Sequence, residues 1–221
     1  MWFRNTLKTI DFAQRVGAEL MVIHSGSVKY LFKSPEVVLE DYIGSTTPEE
    51  LRKDREYEKL LQGLQTRMRK KQGSFRKQLI ESYRKIIPAA KEKGIKVGVE
   101  NREGFDEMPM DLEMRGLLIE LGEPEVFGYW HDAGHAQLKE RMGIILHQQL
   151  LADNTERQFG FHLHDVSENG FDHQAIGTGT IDWKMLRSFI REEHILVLEL
   201  SPRLKKEEVE LSRDFVKAEL I

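Results

Sequence analysis

The chain has 221 residues, 40% of them apolar, with a formal net charge of −4. That is enough for one substantial core in a single domain, and it gives no global pull toward nucleic acid. The absence of cysteine excludes a disulfide scaffold, thiolate zinc ligands and a cysteine nucleophile, and leaves metals held by oxygen and nitrogen.

The segment from Phe3 to Val16 carries Phe3, Leu7, Ile10, Ala13 and Val16 at helical spacing, and Gly17 is placed to end that helix. A first apolar run, LMVIHSG, follows. A long excursion over residues 27–93 comes next, in which Thr47-Pro48-Glu49-Glu50 is a helix start with threonine as cap and proline in the first turn. One charged helix is expected from Pro48 toward Lys71 and another from Phe75 to Lys93. Excursions of this length at a barrel mouth commonly cover or shape a site. Toward the end, GTIDWKMLRSFIREEHI reads as a turn and a helix, and LKKEEVELSRDFVKAEL as a charged closing helix. No apolar stretch is long enough to span a bilayer and the start lacks the apolar core of a signal peptide, so a cytoplasmic protein with no membrane partner is the default.

Five short apolar runs each end in a histidine or a carboxylate: LMVIHSG (His24), IKVGVEN (Glu100), VFGYWHDAGH (Asp132, His135), FGFHLHD (His162) and ILVLELS (Glu199). Parallel strands buried on both faces are near-continuous apolar runs, and in a β/α barrel the polar residues at their C-terminal ends converge on one mouth. The expected fold is therefore α/β, of the (β/α)8 TIM-barrel type. The count reaches only about five of eight β/α units, whereas a full barrel takes roughly 250 residues. The chain reads as a single, N-terminally incomplete barrel domain spanning 1–221. An open barrel exposes two strand edges, so it is expected either to be a fragment of a longer protein or to cover its open side as a homodimer. Converging His, Glu and Asp side chains suggest a divalent metal site.

Taken in order, HSG, the glutamate of VGVEN, the D-x-x-H of HDAGH, HLHD, the H-x-x-x-G-x-G-x-I-D-W element from His173 to Trp183 and the glutamate of LVLELS resemble the xylose isomerase-like barrel superfamily. That group contains sugar and sugar-phosphate isomerases and epimerases and the endonuclease IV type of AP endonuclease. The resemblance runs from His24 to the C-terminus. It implies that Glu100, Asp132, His162 and Glu199 hold one divalent ion (Mn2+, Mg2+, Co2+ or Zn2+). Glu100 and Glu199 are then the acid/base pair that moves a proton through an enediolate, and His24, His135 and His173 face the substrate, a sugar or sugar phosphate.

The endonuclease reading uses His24, Glu100, Asp132, His135, His162, His173 and Glu199 for three zinc ions. Two departures count against it: the aspartate expected two residues before His173 falls on Phe171, with Asp172 displaced by one, and a histidine from the missing N-terminal part is absent. The basic run from Arg67 to Lys71 lies on a helix that also carries acids, which is usually a solvated face, so nucleic acid is not an expected partner. A third reading is a non-catalytic metal-binding remnant, because without the N-terminal third the pocket lacks a wall.

Each site residue also has a plainer role. His24 reads equally as a satisfied strand-end polar group, and Asp132 and His135 could merely cap the following helix. Glu100 and Glu199 are harder to explain that way, since a buried carboxylate costs several kcal/mol unless paired. His131 should point away from the barrel interior. His164 can share a face with His162, so the choice of His162 rests on the resemblance. Asp165 is expected to hold a neighbouring histidine, Asp182 to cap a helix, and Gly177 and Gly179 to shape a turn; His147 and His194 read as surface or interface residues.

Overall fold

The computed structural model describes residues 2–221, apart from the side chain of Ser74. It contains one five-stranded parallel sheet with strands in chain order, β1 (Leu20–Ile23), β2 (Lys96–Glu100), β3 (Phe127–Asp132), β4 (Gln158–Leu163) and β5 (Ile195–Leu198). Helices cover its convex side, making a half-barrel of the TIM type. Val97, Val99, Phe127, Tyr129, Phe161 and Leu163 are buried toward those helices.

The concave side carries the alternate residues, and Asp132 stands in register with His162. Trp130 fills this side of the sheet between two glycines. A Cβ on Gly160 would come within 2.6 Å of its indole, and one on Gly98 within 3.1 Å of its Cβ. Near the β5 edge the concave face is open, with Ile195 42% and Val197 38% exposed. Among the described residues β1 and β5 pair on one side only.

Helix α1 (Trp2–Val16) ends at Gly17, whose φ of +75° needs no Cβ. The excursion after β1 differs from its sequence reading in three ways. Residues Pro35–Ile43 form helix α2, started by Ser34, whose Oγ accepts from the Val37 N–H, and by Pro35 in the first turn. Thr47 does cap a helix, but α3 (Pro48–Leu51) is one turn long. The two charged helices then prove to be a single one, α4 (Arg55–Glu92). Gly73 does not break it, because the buried stripe Leu64, Met68, Gln72, Leu79, Tyr83 and Ile86 runs straight past it. An exposed helical glycine costs only about 1 kcal/mol against alanine.

The remaining helices are α5 (Asp111–Leu121), α6 (Ala133–Arg141), α7 (His147–Asn154), α8 (Trp183–Arg187) and α9 (Lys206–Phe215), the last running into a π-helical turn. The loop after β1 is tied to the loop after β2 by an antiparallel bridge between Ser27 and Glu107. Among the described residues no helix is long and apolar enough to cross a membrane.

Candidate active site at the strand ends

Glu100 is the last residue of β2, where the apolar run KVGVE carries a carboxylate to the mouth. Its side chain is 1% exposed, yet both oxygens are engaged. Oε1 lies 2.6 Å from His162 Nδ1, and Oε2 takes a 2.8 Å contact from His24 Nε2 and a 2.6 Å bond from Arg102 Nη1. Burial alone would raise the pKa of Glu100. The bonds from His162 and His24 and the charges of His135 and Arg102 overcome it and hold the carboxyl far below its usual range. Arg102 also donates to Glu107 Oε1 at 3.2 Å, and Glu107 Oε2 accepts the Gly104 N–H, so the β2 loop is braced around Glu100.

Asp132 ends β3 and serves both of the roles weighed for it. Its Oδ1 accepts the His135 N–H at 2.7 Å, capping α6, while His164 Nε2 lies 3.1 and 3.2 Å from its two oxygens. Burial opposes the charge, but His164 and the field of His135 bring the pKa down to about 2. Because His164 Nδ1 accepts the His173 N–H, its own proton sits on Nε2 and points at Asp132. Gly134 makes this approach possible, since a Cβ there would run into the His164 ring.

His162, on β4, lies between carboxylates, 2.6 Å from Glu100 and 2.9 Å from Glu199 Oε2. Burial would lower its pKa, but the neighbouring carboxylates of Glu100 and Glu199 lift it to about 9. Glu199 follows β5, and its N–H is held by Leu163 O. Its pKa is lowered, chiefly by His162. Glu199 Oε2 is buried and, among the described residues, completes no hydrogen bond, because the His162 Nδ1 hydrogen is directed at Glu100. One ligand atom from each of Glu100, Asp132, His162 and Glu199 falls within 4.8 Å of the others. Three carboxylates and an imidazole at this spacing, with an orphaned acceptor among them, fit a divalent cation.

The three residues expected to face substrate surround this cluster. His24 stands at the rim with its side chain 55% exposed. His135 is buried and uses Nδ1 on Asn101 O at 3.1 Å, which leaves Nε2 free of that bond. His173, at a positive φ of 54°, stacks on His164 at 4.2 Å and reaches to 4.0 Å from Glu199 Oε1.

Sequence reasoning passed over Arg102 and Asn101, although both follow Glu100 directly. Asn101 accepts the Asp132 N–H and donates to Asp132 O, joining the β2 and β3 ends. The choice between His162 and His164 resolves into two places, with His162 among the carboxylates and His164 behind Asp132.

Three expectations need correction. His147 and His194 are buried, not surface residues: His147 stacks on His131, and His194 packs edge-on against Phe161. Asp165 holds no histidine. It accepts N–H groups of Val166, Gly177 and Ile181 and the Trp183 indole, ordering the loop that carries Gly177 and Gly179. Asp182 does cap its helix, accepting the Met185 N–H.

The family described as xylose isomerase-like TIM barrel matches residues 3–218. The chain belongs to this family. No curated protein matches it in sequence. Among solved structures it is similar to a D-tagatose 3-epimerase-like protein, with 18% identity and a TM-score of 0.59 over 97% of this chain and 66% of that one. The D-psicose 3-epimerase from Clostridium cellulolyticum, solved with D-tagatose, is 10% identical with a TM-score of 0.62 over 99% and 70%. The IOLI protein, solved with a bound zinc atom, is 12% identical with a TM-score of 0.56 over 97% and 64%. The chain thus spans about two thirds of the length of these xylose isomerase-like barrels, and at such identities the likeness is one of fold.

Proposed function

We propose that this protein is a divalent-metal-dependent isomerase or epimerase that moves a proton between carbons of a sugar or sugar phosphate through an enediolate. The observation that carries this reading is the convergence of Glu100, Asp132, His162 and Glu199 within 4.8 Å at the mouth of the half-barrel. Family membership and fold neighbours named as 3-epimerases support it. These four residues would hold the ion, and their donor set suits Mn2+, Mg2+, Co2+ or Zn2+. When bound, such an ion supplies electrostatic stabilisation for the negative charge that develops on substrate oxygens.

The chain's own groups divide the remaining work. Glu199, its side chain 43% exposed, lines an open cleft, so it takes the proton from the carbon next to the carbonyl. Glu100 is its partner in the transfer, and exposed His24, 2.8 Å from Glu100 Oε2, connects that carboxylate to solvent. His135 and His173 hydrogen-bond substrate oxygens through their remaining ring nitrogens.

One observation favours the endonuclease reading. Asp172, although displaced by one position, comes within 3.0 Å of His173 Nδ1 and forms with Glu103 and His135 a second group able to hold an ion. Phe171 meanwhile is 68% exposed. A single pair of assays separates the two. Ketoses and ketose phosphates are incubated in deuterated water with and without Mn2+, and an abasic-site duplex is incubated in parallel. Metal-dependent deuterium incorporation at the carbon beside the carbonyl, with the duplex intact, is the expected result. Nicking that disappears in Asp132→Asn, without exchange, would replace this reading with the endonuclease one.

A further inference from the structure

Three arginines serve the strand-end loops, and two are committed to fixed bonds. Arg102 holds Glu100 and Glu107, and Arg141 donates to the carbonyls of Ser167 and Glu168. The third, Arg203, has no side-chain partner among the described residues. It lines a cleft of about 840 Å³ between the loop after β4, represented by Phe171 and His173, and the loop after β5, represented by Glu199 and Ser201. That volume lies in the range of small-molecule sites. Glu199 belongs to both the cleft and the four-residue cluster, so a substrate with its reacting carbon at Glu199 extends into the cleft toward Arg203.

The cleft is braced rather than loose. The Ser201 N–H donates to His173 O, joining the two loops, and Ser201 Oγ accepts the Arg203 N–H. Leu204, which also lines it, is followed at once by α9, whose N-cap Lys205 offers no side-chain acceptor to the first amides. Of the two acids that line the cleft with Arg203, Asp172 is matched by His173 Nδ1 at 3.0 Å and Glu199 by His162 Nδ1 at 2.9 Å. Arg203 is exposed at the cleft, where its guanidinium can meet an anionic ligand. In β/α barrels the loops after the last two strands and an adjoining helix start are a frequent phosphate site, and β4 and β5 are the last two strands of this sheet.

We infer that this cleft is an anion subsite in which Arg203 binds the phosphate of a sugar phosphate, so that the substrate of the proposed isomerase is phosphorylated rather than neutral. The inference rests on the isomerase reading for its substrate, but the subsite can be tested without turnover. Inorganic phosphate is titrated calorimetrically into the Mg2+-loaded protein, its Arg203→Ala and Arg203→Lys variants, and Arg115→Ala, an exposed control on α5. Binding should weaken roughly ten- to a hundred-fold in Arg203→Ala, less in Arg203→Lys, and not in the control.

The deuterium-exchange assay then compares a ketose with its phosphate ester, and the ester should exchange with the lower KM. Phosphate binding that is absent, or equal in wild type and Arg203→Ala, overturns the subsite. So does a neutral ketose that exchanges as efficiently as its ester, and that result leaves the isomerase reading standing. Arg203-dependent phosphate binding with no exchange of any sugar upholds the subsite and removes the isomerase.

Discussion

The two faces of strand β3 put neighbouring residues into opposite electrostatic worlds. Asp132 faces the concave mouth, where charges meet charges, and the imidazole there, His162, is lifted to about 9 by two carboxylates. His131, one residue earlier, faces the helices. Tyr129, His131 and His147 form a buried chain there, ending on Asn101 Oδ1 and Gln137 Oε1, both acceptors. Tyr129 and two neutral imidazoles carry one hydrogen each, so one of the four contacts in this chain lacks a proton. The longest, 3.4 Å between His147 Nδ1 and Gln137, is the one left unmade. Burial pushes the pKa of His131 down, and that of His147 down to about 4. Carboxylate partners, more than burial, make an imidazole a charged site residue in this fold.

The largest expected effect breaks the concave side. Glu199→Gln keeps size but removes charge and basicity, and replaces the unpartnered acceptor at Oε2 with an amide. Divalent-ion content of the purified protein should fall sharply, and deuterium exchange by roughly 10²–10⁴-fold, the usual weight of a general base. Elemental analysis beside wild type checks the first part, and equal metal content would take Glu199 out of the centre.

The strands were legible because burial on both faces leaves an unmistakable apolar run, and each run stops where a polar residue reaches the mouth. That pattern brings His24, Glu100, Asp132, His135, His162 and Glu199 to one mouth; the choice of Glu100, Asp132, His162 and Glu199 among them rests on the family resemblance, and these four offer ligand atoms within 4.8 Å of one another. The even spacing of His162 and His164 leaves both on one face, and only three-dimensional contacts assign one to carboxylates and the other to Asp132. Helix α4 is one helix where two are expected, because its buried stripe continues for several turns on each side of Gly73. The signals for α2, Ser34-Pro35 and Gly44, were in the sequence and were passed over among the aromatic residues around them. His147 and His194 could not be placed by pattern, since a histidine buried by packing and one exposed on a surface look alike in a single chain.

A middle-sized effect tests the convex side. His147→Leu fills similar space without the ring nitrogens, which leaves His131 Nε2 buried and unpaired at a cost of about 1–3 kcal/mol. Denaturant unfolding should show that loss, while divalent-ion affinity stays within about twofold of wild type. A large drop in affinity instead would show that the buried chain reaches the site through Asn101.

The smallest effect sets the two faces against each other by pH. His147 has its folded pKa depressed to about 4 from an ordinary value of 6.5, so the fold resists the proton. Its contribution to stability is present above pH 6.5 and is lost as pH falls toward about 4. His162 has the opposite sign. Its folded pKa is raised to about 9, so without a divalent ion its stabilising charge is fully present below pH 6.5 and is lost as pH rises through about 9. The metal-free protein should therefore be most stable near pH 6.5 as far as these two groups decide it. A divalent ion at His162 must displace that proton, so its affinity should rise with pH by up to about tenfold per unit toward pH 9 and then level off. Calorimetric titration in buffers of different ionisation enthalpy counts the proton released, close to one at pH 7. An affinity independent of pH from 6.5 to 9, with no proton released, would mean that His162 is not among the ligands.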